Sequence, residues 1–175
     1  MIIPVEMFIS YSSQIQTLFH VTVQWKFLVL IMAEEDRYYN ATVVWDYNGG
    51  SAVLVEDKKP IEASRPSAFK SQPNLHNPEE LFVASAALCF MNSFAVFTKK
   101  MHIEFESFDV EATGRLEKVG RSFEITKIDM KSTVVISDEN LRKKIERALE
   151  LGDKYCFVAN SMKCPREHEH EIVVE

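Results

Sequence analysis

What this chain lacks narrows its class before any motif is read. Three cysteines in 175 residues, Cys89, Cys156 and Cys164, are too few for a disulfide scaffold. Their odd number leaves at least one thiol unpaired, which suits a reducing, cytoplasmic setting. There is no basic stripe: 20 Lys and Arg against 26 Asp and Glu give a net charge of -6, which argues against a nucleic-acid partner. The longest apolar run, Phe27 to Ala33, is far too short to cross a bilayer, so no membrane role is expected. No repeat and no low-complexity tract is present. With 46% apolar and 26% charged residues, the expectation is one soluble globular domain that buries its core without metal or disulfide staples.

The first 32 residues stand apart, because Glu6 and Lys26 are their only charged side chains. Neither a positive stretch before the apolar run nor a small-residue cleavage site is visible, so a signal peptide is not expected. The charged stretch from Glu34 to Arg37 then marks a change of character. Residues 1–36 are read as an N-terminal extension, an upstream start or a packing arm, and residues 37–175 as the working domain.

The pattern along that domain alternates strands with helices. Ala41 to Asp46 and Ser51 to Val55 are β-branched runs around Asn48-Gly49-Gly50, a strong hairpin signal because Asn and Gly supply positive φ. Lys58 to His76, rich in Pro, Ser and Lys, reads as a long loop of the kind that often carries function. A helix follows, with Asn77 as N-cap, Pro78 at the first position and Glu80 completing a capping box; it should run to about Lys100. From Leu81 to Phe97 it is apolar on nearly every face, so a sheet must wrap it or a partner must cover it.

Beyond this helix Phe108, Val110 and Ala112 alternate with polar residues, and Gly114 to Arg121 reads as a turn region. A long strand spans Ser122 to Ile136, with a change of face between Ile125 and Ile128 that signals a bulge. Ser137 or Asp138 caps a helix carrying Leu141, Ile145, Ala148 and Leu149 on one face; Gly152 should interrupt it, and a short helix lies within Lys154 to Met162. Glu171 to Val174 is the last strand. This order belongs to an α+β domain.

Chemistry concentrates at the cysteines. Cys89 lies mid-way along the long helix with Ser85, Ala86, Asn92 and Ser93 one turn away, a notch of small or polar residues around one thiol. Cys156 follows Gly152 at the start of the short helix, where N-terminal amides favour a thiolate. Taken singly, each cysteine is equally compatible with simple packing. Cys164, His168 and His170 offer a thiol and two imidazoles to a metal, but not at the tight, turn-defined spacings of zinc sites. His168 and His170 should share one strand face, solvated beside Glu167, Glu169 and Glu171, so no metal or other cofactor is assigned.

Two segments together carry more weight than either alone. Asn77-Pro78-Glu79-Glu80-Leu81-Phe82, followed by Ala84-Ser85-Ala86-Ala87-Leu88-Cys89-Phe90, resembles the signature of the OsmC/Ohr family of hydroperoxide reductases. Tyr155-Cys156-Phe157-Val158-Ala159-Asn160-Ser161-Met162-Lys163 resembles that family's second cysteine motif. The resemblance implies an intertwined homodimer, an antiparallel sheet wrapped around a long buried central helix. It implies an antioxidant peroxidase that reduces organic hydroperoxides and is recycled by a dithiol reductant, a lipoyl protein or a small thiol. On this chain it gives Cys89 the peroxidatic role, Cys156 the resolving role and Glu79 that of the active-site carboxylate. The family's Gly-Gly-Arg turn is replaced here by Gly49-Gly50-Ser51; Arg65, the only arginine in the following loop, takes the cation's role by position. The alternative is a non-catalytic protein of the same fold that binds a small apolar ligand at the dimer interface.

Two geometric expectations complete the reading. Apolar residues Phe82, Phe90 and Met91, with Phe69 from the loop, should line the substrate pocket. Glu79 and Cys89 are ten residues apart (89 − 79), roughly 15 Å along one helix and about 80° apart around it, so the carboxylate should serve the cysteine of the other subunit.

Overall fold

In a computed structural model of the chain, residues 36–45, 50–65 and 72–175 are described. The chain divides into two units, residues 1–40 and 41–175, and the second carries all the elements below. The 1–36 extension lies outside the described residues except for Asp36, as do the hairpin residues Asn48 and Gly49 and the loop residue Phe69.

Strands β1 (Thr42–Trp45) and β2 (Ser51–Leu54) pair antiparallel, Thr42 opposite Leu54 and Trp45 opposite Ser51, as a hairpin signal requires. The stretch read as loop contains a third strand, β3 (Ile61–Ala63), antiparallel to β2. Three residues are too few to show a strand period, which is why β3 is invisible in the sequence.

Helix α1 (Pro78–Lys100) begins as its residues dictate. The Asn77 side chain accepts the Glu80 N–H at 2.8 Å, and the Glu80 carboxylate accepts the Asn77 N–H at 3.0 Å. It ends in a Schellman arrangement, the Ile103 N–H donating to the Thr98 carbonyl and the His102 N–H to that of Lys99. His102 occupies the left-handed position at φ 53°, where glycine is usual.

The second sheet holds β4 (Ser107–Val119), β5 (Ser122–Ile136) and β6 (Arg166–Val174) in that order. β4 continues through the expected turn region, and only Gly120 and Arg121 separate it from β5. The bulge falls where the change of face places it: Arg115 faces Lys127 and Leu116 faces Ile125, leaving Thr126 unpaired on β5. β6 starts five residues earlier than Glu171 and runs parallel to β5, with Arg166 opposite Ile128 and Val174 opposite Ile136. Its polar Glu-His alternation hides a strand that apolar periodicity cannot find.

Asp138 caps a single 3-10 turn (Glu139–Leu141) that leads into α2 (Arg142–Lys154). Gly152 does not break α2. It is buried against α1, where an added Cβ would stand 3.1 Å from the Phe94 amide nitrogen, so it permits two helices to approach. The short helix α3 (Phe157–Asn160) follows with Cys156 at its N-cap.

The core lies between α1, the β4–β5–β6 sheet and α2. Phe90, Phe94, Ile128, Val134, Ile136, Ile145 and Leu149 are almost wholly removed from water. Each buried side chain of this size contributes about 1.5–3 kcal/mol. α1 is not covered all round by the described residues. Phe90 and Phe94 are buried, whereas Phe82, Leu88 and Val96 on its other side are exposed.

Candidate functional site

The notch on α1 has a definite structural use: α3 fills it. Ala86 is fully buried, and its carbonyl accepts the Cys156 thiol at 3.9 Å. The Val158 N–H, in the first turn of α3, donates to Cys89 Sγ at 3.5 Å. The Cys89 thiol is also near enough to disfavour ionisation of Cys156. Cys89 and Cys156, 67 residues apart (156 − 89), therefore meet with both sulfurs reduced.

The two cysteines differ in environment. Cys89 is half-buried, whereas Cys156 is fully enclosed. Enclosure first, and the neighbouring Cys89 thiol second, push the Cys156 thiol up to about 11, against the opposite pull of the Ala159 amide and the Arg166 guanidinium. The Ala159 amide faces the sulfur without closing a well-formed cap bond. The helix terminus thus acts in the direction expected of it, but burial outweighs it. Cys156 is a protonated thiol at neutral pH.

Cys164 lies elsewhere, packed with Met162 against Ala86, Ile128 and Met130. Glu79 stands in the first turn of the unbroken α1, far down the helix axis from Cys89. Its Oε2 is buried and has no hydrogen-bond partner among the described residues. Glu79 faces an open cavity of about 760 Å³ lined mainly by apolar residues of α1, β4 and β5, among them Val83, Ala87, Leu88, Met91, Val110 and Ile125. Of the aromatic residues expected in this pocket, Phe90 is instead core, and Phe82 does not line it. Helical phase separates them: Met91 and Val83 share the cavity side, while Phe90 points at β6.

Arg65 is exposed just beyond β3. The preceding Ser64 donates its N–H to the His76 carbonyl at 2.8 Å, and the Ser64 hydroxyl accepts the Gln72 N–H at 2.7 Å. These bonds fasten the loop arginine to the same end of α1 that carries Glu79. Arg65 makes no ion pair among the described residues.

Sequence reasoning missed what lies behind Cys156. His168 and His170 do share a face of β6, but that face packs against Phe90; His168 is half-buried there, while His170 remains exposed to solvent. The His168 ring packs edge-on to Phe90 at 4.7 Å, and His170 stacks on the same ring at 5.8 Å. The His170 Nδ1 pairs with the Ser132 hydroxyl at 2.7 Å. Burial holds both imidazoles below their usual range. Beside them Arg166 donates to the Ala159 carbonyl and lies 3.6 Å from Asp153. No group of three or more His, Cys, Asp or Glu side chains among the described residues is arranged to hold a metal.

Comparison with known proteins identifies the family and the fold. The model of the OsmC-like protein family matches residues 71–171, more than half of the chain and both cysteine motifs. The chain belongs to the OsmC-like family. An OsmC-like protein of unknown function from Vibrio cholerae has the same fold, with 25% identity and a TM-score of 0.70 over 77% of this chain and 99% of that one. An organic hydroperoxide resistance protein from Elizabethkingia anophelis superposes with a TM-score of 0.63 at 15% identity, over 81% of this chain and 99% of that one. One from Legionella pneumophila gives 0.59 at 17%, over 81% and 100%. No curated protein matches. The OsmC fold is therefore established for this chain, as an α+β domain with two three-stranded sheets and one long helix.

Proposed function

We propose that this OsmC-like protein is a cytoplasmic thiol peroxidase that reduces organic hydroperoxides. The observation that carries the reading is the meeting of Cys89 and Cys156 at the α1 notch, with the Val158 amide aimed at Cys89 Sγ. In the first step the Cys89 thiolate attacks the terminal peroxide oxygen. The O–O bond breaks, the alcohol leaves with a proton, and Cys89 becomes a sulfenic acid. In the second step the Cys156 sulfur displaces that hydroxyl; the S–S bond forms and water carries away the thiol proton. A dithiol reductant, a lipoyl protein or a small thiol, then returns both cysteines to thiols by exchange.

Glu79 and Arg65 complete the reading as carboxylate and cation. A buried carboxylate oxygen without a partner is costly, on the order of 1–3 kcal/mol, so Glu79 calls for a cationic group at the cavity. The spacing of Glu79 and Cys89 along α1 points to a site shared across a homodimer. The apolar side of α1 supports that assembly, since Leu88 is 61% and Val96 49% exposed in the single chain.

A second reading, a non-catalytic protein that binds a small apolar ligand, draws on the cavity, whose lining includes Leu88 and Met91 but not Cys89. A coupled peroxidase assay decides between them. Wild-type protein should turn over cumene or fatty-acid hydroperoxide faster than hydrogen peroxide, and Cys89→Ser should be inactive. Absence of turnover by reduced wild-type protein with any peroxide would leave the ligand-binding reading.

A further inference from the structure

The first residue of β6 places a permanent cation against α3, the short helix that Cys156 caps. Arg166 emerges from the first position of β6 with its side chain only 17% exposed. It is gripped by the Ala159 carbonyl of α3, the helix that Cys156 caps. Its acidic neighbour, Asp153, is 3.6 Å away and itself 42% exposed, and the guanidinium Nε finds no partner among the described residues. A buried guanidinium held by one long ion pair and one carbonyl is incompletely neutralised.

The other titratable groups do not supply that charge. His168, 3.5 Å from the same Asp153 oxygen, and His170 are both kept neutral at pH 7 by burial. Cys89, across the notch, disfavours a Cys156 thiolate, whereas the Arg166 charge favours it. Cys156 itself is wholly enclosed, so no water molecule stands in for that charge at the sulfur.

We propose that Arg166 is a positioning residue for the second half of the peroxidase cycle: its standing positive charge lets the enclosed Cys156 thiol give up its proton as it attacks the Cys89 sulfenic acid. Asp153 tempers that charge and the Ala159 carbonyl aims it. The proposal rests on the peroxidase reading above, and it divides the labour between two cations, one at the hydroperoxide and one at the resolving thiol. The step needs no further reagent. The sulfur–oxygen bond of the sulfenic acid breaks, the disulfide bond forms, and the hydroxyl leaves with the Cys156 proton as water.

The test begins with Cys156 as the only thiol, in a Cys89→Ser, Cys164→Ser protein, titrated by the ultraviolet absorbance of its thiolate. Arg166→Met should raise the titration midpoint by roughly one unit, the lower end for loss of a nearby opposite charge. Arg166→Lys should keep most of the wild-type value. Asp153→Asn should lower the midpoint, because the carboxylate that shares the guanidinium is gone while Ala159 still holds it. A purely structural clamp would move the Arg166→Met and Asp153→Asn midpoints the same way. That result, or an unmoved midpoint in folded Arg166→Met, overturns the proposal. If Arg166→Met does not fold, an upward shift in Asp153→Asn overturns it by itself.

In protein with all three cysteines, one equivalent of cumene hydroperoxide should oxidise Cys89 at the wild-type rate in Arg166→Met. The sulfenic acid should then persist about tenfold longer, matching one unit in thiolate fraction. An unchanged lifetime overturns the proposal. If wild-type Cys89 consumes no hydroperoxide, the peroxidase reading falls with the resolving step, while the titration still decides whether Arg166 sets the acidity of Cys156.

Discussion

Replacing Gly152 with alanine should destabilise the protein, against the usual effect of removing a helical glycine. Gly152 lies inside α2, where alanine is ordinarily favoured by about 1 kcal/mol. Here the new methyl would meet the Phe94 amide nitrogen at 3.1 Å, its Cα at 3.2 Å and its Cβ at 3.3 Å. Carbon contacts are optimal near 3.5–4.0 Å, and the two nearest of these atoms belong to the backbone of a helix whose Phe94 is fully buried. α1 cannot yield locally, so α2 must move away by a few tenths of an ångström. Overpacking of this kind costs about 1–3 kcal/mol, and the helix-propensity gain offsets only part of it. The net loss should reach about 2 kcal/mol at most, or up to roughly 8 °C in Tm for a domain of this size. Urea unfolding followed by circular dichroism, at fixed protein concentration, measures it. Because Cys156 follows Gly152 by four residues, the same displacement should slow disulfide formation while leaving the first oxidation of Cys89 intact. A Gly152→Ala protein more stable than wild type would refute the close approach of α1 and α2.

His102→Gly should act in the opposite direction, stabilising by about 0.5–1 kcal/mol in the same assay, because the left-handed position closing α1 costs any side chain. Among the cysteines, Cys89→Ser should abolish peroxide turnover, Cys156→Ser should allow one attack and then stall, and Cys164→Ser should leave activity near wild type; rapid quench with thiol counting separates the three. His168 has a depressed folded-state affinity for protons against an ordinary value of 6.5, so its contribution to stability is present above pH 6.5 and is lost as pH falls through the folded value. Unfolding free energy measured from pH 7.5 to 5 should therefore fall less steeply in His168→Gln than in wild type; parallel slopes would show that the imidazole is not buried in the neutral form. Mixing inactive Glu79→Ala with inactive Cys89→Ser protein under subunit exchange should restore activity in the mixed dimers, and no recovery despite proven exchange would assign Glu79 to its own chain's cysteine or to none.

What was legible in the sequence is what chain-local rules write into it. The capping box at Asn77 and Glu80, the face change that marks the Thr126 bulge and the hairpin runs on either side of Gly50 all depend on neighbours within four or five positions. Each appears where those rules put it. Gly152 was misread because glycine in a helix is locally a breaker; its actual use, admitting the backbone of Phe94, depends on a helix more than fifty residues earlier. The same limit governs the candidate site. The small residues around Cys89 announce a notch but not what fills it, and only the family resemblance paired Cys89 with Cys156.

Arg166 and His168 stayed hidden for a related reason. On a charged strand such as Arg166-Glu167-His168-Glu169-His170, alternation alone does not say which face is wet. The parallel pairing with β5 decides it, setting His168 beside Met130 and His170 beside Ser132, the buried face of the sheet. Once that face is fixed, Phe90 packs against both imidazoles, which also meet each other at 5.6 Å, and the strand's first residue ends beside α3. The electrostatic environment of the resolving thiol thus follows from one register in one parallel strand pair. A shift of that register by a single residue would turn Arg166 and His168 to solvent and place Glu167 and Glu169 against the core, which the burial cost of two carboxylates forbids.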